Sequence, residues 1–365
     1  VRLVRRLSCI EVELQAANAA PKTKVFDKRL ISVASVTVMG TIMSILDTTI
    51  VNVALNTLVR SFHSSLASIQ WVSTGYLLSL GLVIPLTRWA VDRFGTKRAW
   101  MTSVALFVVG SLLCGIAWSA TSLVAFRVIQ GLGGGMIMPI GQTILARESG
   151  PDRLGRVMTI VGVPQLLGPM LGPVVGGLIL SSFSWRWIFF VNVPIGIVAL
   201  IRARRILSAT DEGLSSAKRL DVIGMALLSP GLALLIYGLS EFGNAGHLTN
   251  QIRFAVGMGV VLIAAFVFHS LRTTAPLLDL RLWKNRGFAM ANVATFLFSG
   301  GMNAGTFLAP LYYQIGRGQT PLRAALLMAT GGIGGMIAMP IAGKISDLAG
   351  PRRIVPFAHF CLSRK

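Results

Sequence analysis

The sequence predicts an all-α integral membrane protein of ten complete membrane-crossing helices. Two observations carry that reading. Hydrophobic residues make up 53% of the 365 and charged residues only 13%, with a mean hydropathy of +0.70. An ordinary soluble domain carries about a quarter charged residues, so this chain has too little polar surface to cover a globule in water. The charges are also segregated: segments 33–46, 77–86, 101–118, 188–201, 222–239 and 254–268 contain no Lys, Arg, Asp or Glu. The basic residues behind the net charge of +21 gather in the short gaps between such runs rather than on one face. That pattern is a topology signal, not a phosphate-binding surface, and it argues against nucleic acid as a partner.

Apolar runs long enough to cross a bilayer, about 17–25 residues each, place spans near 31–55, 66–87, 99–119, 121–146, 156–181, 186–203, 220–240, 252–271, 288–313 and 320–342. A partial eleventh run starts near Ile354 and stops at the terminal Cys-Leu-Ser-Arg-Lys. With the N-terminus inside, the tail and the even-numbered connections hold 26 Lys and Arg, against 5 in the odd-numbered ones. Cytoplasmic loops carry such an excess, so residues 1–30 are expected to form a cytoplasmic tail of a protein in the cell's cytoplasmic membrane. That tail mixes charges without an apolar core, which argues against a cleavable signal peptide.

Chemistry-bearing residues are few. Cys9, Cys114 and Cys361 have no pair spacing, and His63, His247, His269 and His359 are isolated, so no disulfide framework, metal site or role for a histidine is expected. No glycine-rich loop ends in Lys-Ser or Lys-Thr, and no paired acids suggest hydrolysis. The reading is no enzyme, no catalytic residues and no cofactor. Any pump built from this chain must therefore draw on an ion gradient.

Asp47 is the only acidic residue well inside a span, and Arg127 the only basic one. A charge near the bilayer centre costs about 2.5–3.5 kcal/mol on insertion scales, so Asp47 needs a partner, water or a proton. Gly40, Ser44, Asp47 and Val51 share one helical stripe, which points the carboxyl at a close-packed or wet interior. Arginine does not deprotonate, and His269 lies near a span end, so Asp47 is the titratable group that remains. Two plainer readings stand beside this one. Asp47 can serve as a neutral acid holding span one to a neighbour, and Arg127 can snorkel toward the outer end of span four.

Four segments and a repeated loop form a recognisable set. Span one contains Leu46-Asp-Thr-Thr-Ile-Val-Asn-Val-Ala-Leu55, and span four contains Leu123-x-x-x-Arg127-x-x-Gln130-Gly131-x-Gly133-Gly134-Gly135. Span five contains Gly168-Pro169-Met-Leu-Gly172-Pro173-Val-Val-Gly176-Gly177, whose four-residue glycine spacing makes a smooth ridge for close helix approach. Span six opens on Trp185-Arg-Trp-Ile-Phe-Phe-Val-Asn192-Val-Pro-Ile-Gly196, which by itself reads as an interfacial aromatic belt. Asp92-Arg93-Phe-Gly95-Thr-Lys97-Arg98 after span two recurs as Asp347-Leu-Ala-Gly350-Pro-Arg352-Arg353 after span ten, the mark of two related halves.

Together these segments resemble the major facilitator superfamily, and within it the fourteen-span drug:proton antiporters, over residues 31–355. The resemblance implies a major facilitator fold. Residues 31–203 would be the first six-helix half, 204–271 a linker with two extra central spans, and 272–365 the start of a second, incomplete half. It implies proton/drug antiport by alternating access, exporting small amphipathic compounds through a cavity between the halves. Asp47 and Arg127 would then couple protons, and Gly168, Pro169, Gly172, Pro173, Gly176 and Gly177 would form the antiporter motif. The inside gating loops would be Asp92, Arg93, Gly95, Lys97 and Arg98 with Gly343, Asp347, Gly350, Arg352 and Arg353, of which Asp92 and Arg93 form an inter-helix charge latch. The first loop departs from the family pattern, with Arg88 where a glycine is usual, and Asn56 stands where span one usually has a proline.

The implied partners are a small-molecule substrate, protons and the lipid bilayer. The sequence says nothing of self-association. Gln165, beside the glycine ridge, is a candidate substrate contact. Trp71, Tyr76, Phe296, Phe307, Tyr312 and Tyr313 are interface anchors or cavity walls. Two rival readings remain: a truncated, inactive remnant of such an exporter, and a membrane scaffold or sensor on the same fold. About four further spans would be needed for fourteen, and the chain as written is expected to confer no resistance.

Overall fold

A computed structural model describes residues 28–150, 157, 162, 168, 171–172, 174–208, 221–274, 276–318, 327 and 334. Among these the regular structure is entirely helical. The helices are α1 (Lys28–Phe62), α2 (Leu66–Val83), α3 (Thr87–Phe94), α4 (Thr96–Gly115), α5 (Ala120–Ser149), α6 (Trp187–Phe190), α7 (Asn192–Ile206), α8 (Val222–Ala245), α9 (Asn250–Arg272) and α10 (Arg286–Leu311). Seven stretches among the described residues are long and apolar enough to cross a membrane, with α2–α3 and α6–α7 each counting as one. The chain is thus an all-α, multi-span membrane bundle.

Eight of the ten expected spans, the first four and the sixth to ninth, correspond to these helices with shifts at their ends, while the spans expected at 156–181 and 320–342 lie largely outside the described residues. α1 has 35 residues, about 50 Å at the usual rise and so longer than a hydrocarbon core of about 30 Å. Span two continues through a tight turn at Ile84–Leu86, where Pro85 lacks the backbone donor that a regular α-turn would use. Span six breaks at Val191 between α6 and α7. Helix starts follow local chemistry: Ser65, Ser119, Asp221 and Thr249 each accept a bond from a backbone N–H of the first turn. Gly95, at φ +77°, supplies the left-handed residue that separates α3 from α4 within the Asp92 loop.

The core of α1 to α7 falls into two buried clusters. One holds Val33, Met43, Trp100, Phe107, Ile137 and Ile140. The other holds Ile50, Leu58, Ile69, Leu123, Ile188 and Phe189. Both clusters contain consecutive stretches of α1, and Asp47 falls at the seam between them.

α8 and α9 pack as a hairpin, with Gly259 so close to α8 that an added Cβ would lie 2.9 Å from Leu235 N. The ring of Tyr237 on α8 stacks on Trp71 of α2 at 5.7 Å. His269, for which the sequence suggested no role, pairs through Nε2 with Asp221 Oδ1 at 2.8 Å, and Asp221 Oδ2 accepts from Leu277 N at 3.1 Å. The pair closes this hairpin onto the segment that follows it.

Candidate functional site

The two charges that the sequence isolates inside spans meet at the centre of the first six helices. Arg127 Nη1 donates to Asp47 Oδ2 at 2.5 Å, with both side chains at most 1% exposed. The other carboxylate oxygen, Oδ1, accepts from Gln130 Nε2 and from Asn192 Nδ2, each at 2.9 Å. Four elements thus converge on one acid: α1 supplies Asp47, α5 Arg127 and Gln130, α7 Asn192, and α4 Ser111, which accepts from Gln130 at 2.9 Å and from Asn192 at 3.1 Å. Arg127 does not snorkel outward. Its Nε donates to Val72 O at 3.1 Å, its Nη1 also reaches Gln130 Oε1 at 2.8 Å, and its guanidinium lies 4.0 Å from the centroid of the Tyr76 ring.

Glycines let these groups meet. A Cβ on Gly110 would sit 2.5 Å from Gln130 Cα, so only glycine on α4 lets α5 bring that amide to Asp47. On α5, a Cβ on Gly131 would run into Ser79 Oγ of α2, and one on Gly133 would lie 2.6 Å from Ser103 O of α4. The glycine run after Gln130 therefore wedges α5 between α2 and α4.

The span-five ridge lies on the same stretch of α1. A Cβ on Gly168 would overlap Ile45, and one on Gly172 would overlap Thr49. One on Gly176 would stand 3.3 Å from Ile50 Cγ2, whereas Gly177 has nothing within 4 Å. Thr49 Oγ1 donates to Gly168 O at 3.3 Å. Pro169, Pro173 and Gln165 lie outside the described residues, as do Gly343, Asp347, Gly350, Arg352 and Arg353.

The contacts of the Asp92 loop can be given among the described residues. Asp92 is half-exposed and faces Arg88 of its own helix at 3.7 Å, and that arginine occupies the position where the resemblance leads one to expect glycine. Lys97 makes the inter-helix tie: its Nζ donates to Arg204 O at 2.9 Å and Leu207 O at 2.6 Å, the free carbonyls at the C-terminal end of α7. Arg29 adds a second tie at these helix ends, to Glu148 Oε1 at 3.0 Å and Ser208 Oγ at 2.8 Å.

Ser111, Gln130 and Asn192 were not singled out as site residues in the sequence, nor were Arg29 and Glu148; Tyr76, read there as an interface anchor or cavity wall, is fully buried against Arg127. Gln130 had a usable signal, since it lies three residues beyond Arg127 on the same helical face. Asn192 lies within the uncharged run 188–201 of span six and is another polar residue that needs a buried partner. Among the described residues no cluster of His, Cys, Asp or Glu fits a metal ion.

A buried ion pair is costly to break because the surviving charge is left alone, by about 3–5 kcal/mol. Arg127→Leu and Asp47→Leu should each lower the unfolding temperature in detergent, and the double variant should be more stable than either single one. Simple addition of the two losses would mean that the charges do not depend on each other.

Comparison with known proteins gives a consistent picture. The Major Facilitator Superfamily profile matches residues 37–363. The chain is 45% identical over 331 residues to a "Multidrug resistance protein B homolog" of Mycobacterium tuberculosis, covering 90% of this chain and 61% of that protein. It is 34% identical over 325 residues to the "Uncharacterized MFS-type transporter YhcA" of Bacillus subtilis, covering 89% of this chain and 61% of that one. It is 31% identical over 316 residues to the "Putative multidrug resistance protein MdtD" of Escherichia coli, covering 87% and 66%. The chain spans less than two thirds of the length of these relatives. Among solved structures, the peptide transporter POT in complex with sulfate aligns with a TM-score of 0.59 at 18% identity, over 93% of this chain and 73% of that one. The xylose transporter XylE from E. coli aligns at 0.52 and 13%, over 88% and 85%. At such identities these two alignments establish a common fold.

Proposed function

The chain belongs to the Major Facilitator Superfamily, and from that premise we propose that it is the membrane part of a proton-coupled antiporter that exports drugs or other small amphipathic compounds. The observation that carries this reading is the Asp47–Arg127 pair, fully buried and braced by two amides in the middle of the bundle. A carrier that exchanges protons for substrate needs a group that is charged in one state and neutral in the other. Asp47 is the acid so placed, and Arg127 is a fixed positive charge whose attraction the proton must offset. Substrate enters a cavity between two related halves, and the bundle exposes Asp47 to one side and then the other. The relatives named as multidrug resistance proteins support the substrate class.

The finer architecture belongs to the same proposal. The full-length protein has fourteen spans, α8 and α9 are the two extra central ones, and the N-terminus lies in the cytoplasm. The Asp92 loop and its second copy gate the inner face. Single-cysteine labelling tests the orientation. Cysteines at Phe94, which is exposed in the Asp92 loop, and Ser216 should label from the cytoplasmic side alone, and those at Ser61 and Ala245 from outside alone; the reverse pattern would overturn the span assignment. Efflux tests the function. Inverted vesicles carrying the full-length protein should accumulate an amphipathic dye when acidified inside and release it when an ionophore collapses the gradient. Accumulation that ignores the ionophore would rule out proton coupling.

A further inference from the structure

Among the described residues around Asp47, Asn192 alone has a side-chain group left over. Its Oδ1 is buried without a hydrogen-bond partner, while its Nδ2 serves both Asp47 Oδ1 and Ser111 Oγ. The neighbouring groups are fully used. Gln130 donates to Asp47 and Ser111, and its Oε1 accepts from Arg127 Nη1 and from Cys114 Sγ at 3.6 Å. Ser111 accepts from both amides and donates to Phe189 O at 3.1 Å. Asp47 accepts three bonds and donates none, which is the pattern of an ionised carboxylate.

Protonation of that carboxylate forms a new O–H bond, removes the negative charge, and adds a donor to a cluster whose acceptors are otherwise taken. We propose that Asn192 is the positioning residue that receives this donor. When Asp47 takes up a proton from the aqueous side, the Asn192 amide turns over about its last torsion and presents Oδ1 to the Asp47 O–H. That torsion is soft and roughly two-fold, and the two ends of an amide are nearly the same size. The present orientation is set by charge, because Oδ1 would be repelled by an ionised oxygen while Nδ2 is attracted to it.

The other described groups facing Asp47 are committed elsewhere. Arg127 from α5 only donates, Tyr76 from α2 turns its ring to Arg127, and Cys114 from α4 is bound to Gln130. Turning the amide withdraws Nδ2 from Ser111, so the bond between α7 and α4 is lost as the one between α7 and α1 changes direction. Asn192 thereby reports the charge of Asp47 to the sixth span.

This inference rests on Asp47 as the proton site, and infrared difference spectroscopy separates the two claims. The whole protein is reconstituted in membranes with asparagine carrying carbon-13 at its side-chain carbonyl, and the pH is stepped down. Protonation of Asp47 appears as a new carboxylic acid band that Asp47→Leu removes. Rotation of Asn192 appears as a downward shift of a labelled amide band, in step with the acid band, because a free carbonyl becomes hydrogen-bonded. Asn192→Leu should remove that amide signal and shift the acid band upward. An acid band with every labelled amide band unmoved overturns the role of Asn192 and leaves Asp47 standing. Absence of the acid band overturns the Asp47 reading itself. The wild-type spectra decide both points even if a variant fails to fold.

Discussion

Asp47→Asn is expected to abolish proton-driven uphill efflux in the full-length protein while leaving it folded and able to bind substrate. An amide cannot exchange its negative charge for a proton, so the link between a pH gradient and transport is cut. The bundle should survive because Arg127 keeps other contacts: Gln130 Oε1, Val72 O and the face of Tyr76. In proteoliposomes, one pH unit can sustain at most about tenfold accumulation per exchanged proton, and the variant should fall to no accumulation at all. Downhill equilibration of substrate should continue, because the helices can still rearrange. Undiminished pumping by Asp47→Asn would leave Asp47 as a structural acid that ties α1 to α5.

Gly172→Leu should be the most damaging change outside the polar cluster. Even the first carbon of the new side chain would overlap Thr49, and Thr49 stands only two residues beyond Asp47. α1 and span five would have to separate, dragging the carboxylate away from Arg127 and the two amides. Overpacking of this kind typically costs about 1–3 kcal/mol, enough to displace a site held by bonds of 2.5–2.9 Å. Transport should be lost even at normal membrane levels of the protein. Gly177→Ala is the internal comparison, since nothing lies within 4 Å of its added carbon, and it should export normally. Equal activity of the two variants would mean that the ridge does not position the acid.

The helical, membrane-spanning character of the chain was legible because it depends on composition and run length alone, which is why even the α8–α9 hairpin falls close to its expected limits. The two key charges were legible for the same reason, as rare events inside apolar runs. Their meeting was not. It depends on Gly110 allowing α4 to touch α5 and on the inter-helix register that puts residues 47 and 127 at one depth, neither of which leaves a periodic trace. Asn192 was hidden inside an aromatic-rich string that reads as an interfacial belt. The gating loop shows the converse problem. Its motif pointed to Asp92 and Arg93, and gave no sign that Lys97 ties the loop to backbone carbonyls at the end of α7, because carbonyls carry no sequence signature.

The ring of Tyr76 lying over Arg127, with the guanidinium 1% exposed, has a consequence for chemical reactivity. An arginine-directed dicarbonyl reagent should modify exposed residues such as Arg88 at once and leave Arg127 untouched in this conformation. Reaction at Arg127 requires the aromatic lid to swing away and the reagent to enter from whichever compartment the cavity then faces. The modification rate at this single residue, followed by mass spectrometry with reagent added to one side at a time, would therefore act as a clock for opening and a compass for its direction.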